Sequence, residues 1–284
     1  MALPAYDPPW LRTVEVGTKL HEIRAWWREP HRLLRAVRAY RDLLAVTPAS
    51  IAYSFTLFVT WWTLHGTSEK VGHRLILSAS TNLRNLQDDP IQVLVASAFW
   101  TDGGFPWGEI LILLTVMAAA ERWLGSLRWI LVVAIGHIGA TLIVALGISR
   151  AVERDLIPLR VTIATDVGPS YGISAMLGAF AFRLRGKARL AWIAGLLIWY
   201  GVALVDDRTF TDYGHLFALL LGLLTGAAGV LVARKITATL RRRAARASAP
   251  GSGRDGVGDV PLALHEPHGG LDQARGDGAE HGHQ

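Results

Sequence analysis

The sequence predicts an all-α membrane protein whose six transmembrane helices form one bundle, with both termini in the cytoplasm. Of its 284 residues, 51% are hydrophobic and only 18% are charged, a composition unlike that of soluble domains. The apolar residues are concentrated in segments of about 20, the length that crosses a hydrocarbon core of about 30 Å. The net charge of +6 comes from basic clusters between these segments, which indicates membrane topology and not nucleic-acid binding.

Six segments have the length and composition of membrane-spanning helices. The first follows a long Arg-rich stretch, too late in the chain for a cleavable signal peptide. Lys and Arg are frequent before the first segment, after the fourth and after the sixth, whereas the loops 66–106 and 206–212 carry acidic residues. Because basic connections stay in the cytoplasm, both termini are expected there. The predicted spans are 46–65, 107–124, 127–148, 168–184, 189–206 and 212–233.

The segments outside the bundle differ in composition from the spans. Residues 1–45 mix Trp, Leu and Arg around Pro30, which is typical of an amphipathic helix on the cytoplasmic membrane surface. Residues 234–284 begin with a basic run and continue, from about residue 245, with small, polar and charged residues that do not form a core. The sequence therefore predicts a cytoplasmic segment 1–45, a membrane domain 46–233 and a basic, then disordered, cytoplasmic tail 234–284.

The chain contains no cysteine, which excludes disulfides, thiolate metal sites and cysteine nucleophiles. Chemistry on this chain must use Ser, Thr, His, Asp, Glu, Lys or Tyr side chains. The histidines near the C-terminus are interpreted as part of a solvated tail and not as metal ligands.

Polar residues within membrane spans are costly and are functional candidates by default. The fourth and sixth spans run in the same direction, and Ser170 and His215 lie close to their starts. We therefore expect both residues at similar depth near the outer face. A serine hydroxyl becomes a nucleophile when an imidazole within hydrogen-bond reach takes its proton. The other polar residues of the spans, Glu121, Arg122 and His137, are interpreted as structural.

Small residues recur every four positions in the fourth and sixth spans, on one face of each helix. Such stripes let two helix backbones approach closely in a membrane. We expect the two faces to pack together with Ser170 facing His215. The Gly168–Pro169 start of the fourth span is a candidate source of backbone donors for an oxyanion. The stripes comprise Ser174 and Gly178 in the fourth span and Ala218, Gly222 and Gly226 in the sixth.

Four short motifs lie in order along the chain. Residues 97–100 read SAFW and residues 120–125 read AERWLG. Residues 168–171 read GPSY, with GISAMLGA directly after them, and residues 214–222 read GHLFALLLG. In order and spacing, these motifs resemble the rhomboid family of intramembrane serine proteases, and the resemblance covers about residues 46–233.

The resemblance implies a six-helix core with a Ser–His dyad open to the outer face, in which Ser170 is the nucleophile and His215 the general base. It implies single-span membrane proteins as substrates, a lipid bilayer as surroundings, and no metal or cofactor. A tyrosine of the fifth helix often supports the histidine in this family, and Tyr200 is the available residue. A bacterial cytoplasmic membrane is the expected location.

The chain also departs from the family pattern. Tyr171 replaces the glycine after the serine, and Ala218 replaces the first glycine after the histidine. Glu109 falls at or beside the second-helix position where an asparagine commonly helps to hold the oxyanion, and a carboxylate repels an oxyanion unless it is protonated. The missing second-helix pair of His and Asn favours an alternative, an inactive pseudoprotease that binds transmembrane segments, whereas the retained Ser170 and His215 favour the protease. A channel or transporter ranks last, because the first and fifth spans offer almost no polar lining.

Overall fold

A computed structural model describes residues 7–28, 30–206 and 209–248. The chain forms two units: residues 1–242 contain the helical bundle, and the described part of residues 243–284 is the end of the last helix. The described residues contain no β-strand beyond one isolated bridge between Val14 and Leu184. The helices are α1 (Val16–Arg28), α2 (Arg32–Leu44), α3 (Pro48–His65), α4 (Glu69–Ala79), α5 (Leu83–Asp88), α6 (Pro90–Ala96), α7 (Trp107–Ile112), α8 (Ala118–Leu124), α9 (Ser126–Glu153), α10 (Ser170–Phe180), α11 (Lys187–Asp206) and α12 (Phe210–Ser248).

Three of the described helices, α9, α11 and α12, are each long and apolar enough to cross a membrane. The helices α2 and α3 meet at 88° and make a fourth candidate if they are counted as one span. The all-α membrane architecture predicted from the sequence is therefore confirmed. The count of six spans and the cytoplasmic position of both termini stay predictions.

The surface of α11 is suited to lipid. Among its residues, all within the described part of the chain, only Tyr200 is buried. Large apolar side chains such as Ile198, Trp199 and Val205 are mostly exposed. A soluble protein rarely exposes an apolar surface of this kind, whereas a hydrocarbon core solvates it.

Several segments have more helix than the sequence indicates. The loop 66–106 contains α4, α5 and α6, and the last two begin with Asn82 and Asp89, whose side chains accept from backbone N–H groups. The second span is interrupted by a π-helical turn at Leu113–Met117. Helix α12 continues past residue 233 to Ser248, so the start of the predicted tail is helical. The disorder predicted from about residue 245 concerns residues that lie mostly outside the described ones.

The N-terminal segment forms two helices, α1 and α2, on either side of Pro30. His31, just before α2, has a φ of 59°, in the left-handed region that turns the chain. A proline disfavours the helical conformation of the residue before it. Instead of the one amphipathic helix expected in residues 1–45, this segment therefore contains two helices, with Pro30 between them.

Glu121 joins three helices at one end of the core. Its side chain is 1% exposed, and its carboxylate accepts from the backbone N–H groups of Ala49 and Ser50 at 2.9 and 2.7 Å and from the Ser126 hydroxyl at 2.6 Å. Ala49 and Ser50 are in the first turn of α3, whose N–H groups have no partner within the helix. A carboxylate at this position also suits the positive end of the helix dipole. Glu121 is therefore an anchor between α3, α8 and α9.

Candidate functional site

Ser170 is the first residue of α10 and is half-buried. The turn before it depends on Gly168, whose φ of +127° is favourable for glycine. The Gly168 N–H donates to the carbonyl of Ser97 at 2.7 Å and is already engaged. The N–H groups that a helix leaves without internal partners are those of its first turn, which here begins at Ser170 and includes Tyr171.

Helices α10 and α12 pack with their backbones in contact. A Cβ atom added at Gly178 would lie 2.5 Å from the carbonyl oxygen of Leu219, and one added at Gly222 would overlap the backbone of Ala175. At Gly226 an added Cβ would overlap the ring of Phe182. This close approach brings the start of α10, with Ser170, towards the start of α12, with His215. Ala218 and Ser174 are both buried in the same region.

We expect Gly222→Leu to lower the thermal midpoint of unfolding in detergent, because the larger side chain forces α10 and α12 apart. Overpacking of this kind costs about 1–3 kcal/mol, and sometimes more. Gly195→Leu on α11 is the matched control, since an added Cβ there meets no atom within 4 Å. Equal midpoints for the two variants would show that the close approach does not support the fold.

His215 lies in a cluster with two tyrosines. The imidazole is 5.3 Å from the ring of Tyr171, edge to face, and 6.0 Å from the ring of Tyr200, measured between centroids. The Tyr200 hydroxyl is 2.7 Å from the Ser174 hydroxyl, which itself donates to the carbonyl of Ser170 at 2.8 Å. Tyr200 on α11 is thereby linked through Ser174 to the residue that carries the candidate nucleophile.

Within the described residues, no hydrogen bond connects the Ser170 hydroxyl to His215. Catalytic hydrogen bonds are often long in a free enzyme and tighten when the substrate binds. Glu109 is half-buried in the first turn of α7, and within the described part of the chain it makes no hydrogen bond or ion pair with Ser170 or His215. Ser170 and His215 thus lie near the starts of two packed helices, and His215 contacts the ring of Tyr171, the residue next to Ser170.

Tyr171 has a role that the sequence did not reveal. Its side chain is 2% exposed, and its hydroxyl donates to the carboxylate of Asp166 at 2.8 Å. A Cβ atom at Gly214 would overlap the Tyr171 ring. The ring therefore fits only because residue 214, directly before His215, is a glycine. In the sequence Tyr171 was only a departure from the family pattern, and nothing local linked it to Gly214.

Asp166 connects the start of α10 to the chain between α4 and α5. The Thr81 hydroxyl donates to its carboxylate at 3.2 Å and to its backbone carbonyl at 3.0 Å. Its own N–H donates to the Ser80 hydroxyl at 2.6 Å. Burial raises the pKa of the Asp166 carboxyl above its ordinary value, an effect that the hydrogen bonds from Tyr171 and Thr81 partly offset.

We expect Asp166→Asn to gain stability relative to the wild type as pH rises. With a raised pKa, the folded state holds the Asp166 proton to higher pH than the unfolded state, so its contribution to the free energy of unfolding is present at low pH and is lost as pH rises through the folded-state pKa. The difference between the thermal midpoints of the variant and the wild type should therefore shift in favour of the variant between about pH 4 and about pH 7. Asp102→Asn, at an exposed loop position, is the control. An unchanged pH dependence in Asp166→Asn would contradict the raised pKa.

A second Ser–His pair is buried elsewhere in the bundle. The Ser97 hydroxyl lies 3.0 Å from Nε2 of His137, and the two side chains are 0% and 5% exposed. His137 also lines an apolar cavity of about 430 Å³ between α3, α6 and α9. Ser97 itself is not part of the cavity wall, so a substrate in this cavity has no access to its hydroxyl. The pair ties the end of α6 to the middle of α9.

Comparison with known proteins supports a family assignment. The family model for rhomboid-like proteins matches residues 43–234, more than half of the chain, whereas no curated protein and no solved structure matches. The matched range includes α3 to α11 and the part of α12 that carries His215. Together with the apolar helices, this match indicates an integral membrane protein. From its motifs, its helical bundle and this match, the chain belongs to the rhomboid-like protein family.

Proposed function

We propose that this protein is an intramembrane serine endopeptidase in which Ser170 is the nucleophile and His215 the general base. The observation that carries the proposal is the close packing of α10 on α12, in which the ring of Tyr171, the residue next to Ser170, contacts the imidazole of His215. A serine and an imidazole are the minimum equipment for acyl transfer. The remaining elements of the site serve to orient these two groups.

The proposed reaction follows the general chemistry of serine hydrolases. His215 takes the proton of the Ser170 hydroxyl as the oxygen attacks the carbonyl carbon of a peptide bond. First-turn N–H groups of α10 donate to the oxyanion. The C–N bond then breaks, and His215 returns the proton to the leaving amine. Water, activated by the same imidazole, hydrolyses the acyl-enzyme and restores the Ser170 hydroxyl.

The proposed topology has six spans and cytoplasmic termini. In this arrangement α3, the helical stretch from α7 to α8, α9, the segment 168–184 that contains α10, α11 and α12 each cross the bilayer, and Ser170 opens to the outer face. Basic residues before α3, between α10 and α11 and along the end of α12 support this orientation. The substrates would be single-span membrane proteins, and the location a bacterial cytoplasmic membrane. No nucleic-acid partner is proposed.

Covalent labelling with a fluorophosphonate probe tests the proposal. The solubilised full chain is treated with the probe, and mass spectrometry identifies the labelled residue. We expect labelling at Ser170, and none of it at Ser97, whose hydroxyl is inaccessible in the bundle. A folded wild-type chain that carries no label at Ser170 would overturn the proposal.

The second candidate function is that of a pseudoprotease, which binds transmembrane segments without cutting them. It is favoured by the missing hydrogen bond between Ser170 and His215 within the described residues and by an acidic residue, Glu109, in the second span. It predicts an unlabelled wild type that nevertheless cross-links to single-span proteins in the membrane. Loss of this cross-linking in Ser170→Ala would argue against it, because binding alone needs no nucleophile.

A further inference from the structure

We propose that Tyr171 is a positioning residue for His215, held in place by Asp166 and accommodated by Gly214. This inference rests on the proposed function of His215 as a base. A catalytic imidazole must present one ring nitrogen to the nucleophile, and a third group normally fixes its orientation. Within the described residues, His215 has no side-chain hydrogen bond that would do so. Its orientation therefore depends on the rings around it.

The Tyr171 ring is the more closely placed of these neighbours. Its centroid is 5.3 Å from the imidazole centroid, and the planes meet at 78°, the edge-to-face geometry that aromatic pairs prefer. Tyr200 is more distant, at 6.0 Å and 35°. The Tyr171 ring also lies 6.3 Å from the ring of His137 on α9, measured between centroids.

The Tyr171 side chain is held in place at its hydroxyl. The hydroxyl donates to Asp166 at 2.8 Å, and Asp166 is itself bound by Thr81 and Ser80. A buried hydroxyl without an acceptor is costly, so the ring cannot rotate away without losing this bond. The orientation of the Tyr171 ring is thus set by the loop before α10 and by the chain between α4 and α5.

Gly214 completes the arrangement from α12. An added Cβ atom at this position would overlap the hydroxyl and ring of Tyr171, so even an alanine would displace the ring. Gly214 directly precedes His215, and the space it leaves lets the phenol lie against the imidazole. Gly214 on α12 and Tyr171 on α10 therefore fit together, and a change in either one alters the contact of the ring with His215.

The test measures His215 directly. The full chain in detergent is treated with diethyl pyrocarbonate, and mass spectrometry follows the carbethoxylation of His215. In parallel, a fluorophosphonate reports on Ser170. Four variants are compared with the wild type: Tyr171→Leu, Tyr171→Phe, Gly214→Ala and Tyr53→Phe. Tyr53→Phe is the matched control, since Tyr53 is also buried and donates its hydroxyl, at 2.8 Å, to the carbonyl of Ala98.

We expect Tyr171→Leu and Gly214→Ala to change the carbethoxylation rate of His215 by about two- to tenfold, the effect of losing one aromatic contact. Tyr171→Phe keeps the ring but loses the bond to Asp166, so its rate should fall between those of the wild type and Tyr171→Leu, whereas Tyr53→Phe should leave the rate unchanged. A wild-type rate in both Tyr171→Leu and Gly214→Ala overturns the proposal. If Tyr171→Leu does not fold, Gly214→Ala decides alone.

The two readouts separate this inference from the function on which it rests. If the wild type is not labelled at Ser170 but the reactivity of His215 still follows Tyr171, the positioning contact stands and the hydrolytic function fails. If Ser170 is labelled equally fast in all variants and the reactivity of His215 does not change, the hydrolytic function stands and Tyr171 has no positioning role.

Discussion

Ser170→Ala is expected to abolish cleavage of a single-span membrane substrate, and His215→Ala to reduce it to the same background. The first variant lacks the oxygen that attacks the peptide carbonyl, and the second leaves the hydroxyl without a base. In serine hydrolases, removing either member of such a unit costs on the order of 10⁶-fold in turnover, and the effects do not add. The double variant should therefore be no slower than either single one.

Cleavage is measured by gel after the purified chain and a labelled single-span substrate are reconstituted in vesicles. Ser97→Ala is the matched control, because it removes a serine hydroxyl that lies against the imidazole of His137. It should leave cleavage intact, provided that its thermal midpoint shows a folded bundle. Cleavage that persists in Ser170→Ala, or that is lost in folded Ser97→Ala, would place the reaction at another residue.

Glu121→Ala should destabilise the fold strongly. It removes a buried carboxylate and leaves the backbone N–H groups of Ala49 and Ser50 without their acceptor. Hydrogen bonds to charged groups contribute about 1.5–3 kcal/mol each, so we expect a loss of about 3 kcal/mol or more. The first turn of α3 should unfold first, because the side chain of Thr47, the residue before the helix, forms no capping hydrogen bond.

Thermal unfolding in detergent measures this loss. Glu69→Ala is the control, since Glu69 is also in the first turn of a helix, α4, but is exposed; it should cost less than about 1 kcal/mol. Glu121→Gln keeps one acceptor oxygen and should fall between the two. A midpoint for Glu121→Ala close to that of Glu69→Ala would mean that the carboxylate does not hold α3.

The apolar helices were predictable because lipid imposes a simple length requirement on them. The expected spans 107–124 and 189–206 correspond closely to the stretch from Trp107 to Leu124 and to Lys187–Asp206. The helices in 66–106 were missed because they are short and of mixed polarity. Such segments become helical through local capping, for example at Asn82 and Asp89, and through packing against the bundle, neither of which hydropathy reports.

In the candidate site, the sequence indicated the residues but not their partners. Ser170 and His215 stand out as polar groups at the starts of two apolar spans. The contact of Tyr171 with Gly214 and the bond from Thr81 to Asp166 join residues far apart in the chain. Long-range pairs of this kind leave no periodic signal, and without the folded chain Tyr171 was only a departure from a motif.

The shortness of α10 has a consequence for solvent. With 11 residues it is about 17 Å long, little more than half of a hydrocarbon core of about 30 Å, whereas its neighbours α9 and α12 have 28 and 39 residues. Its first turn has no side-chain cap, and bare N–H groups are unfavourable in lipid. In the proposed topology, hydration therefore has to reach below the membrane surface at Ser170. The water that satisfies this helix end would also be the reactant of the proposed hydrolysis.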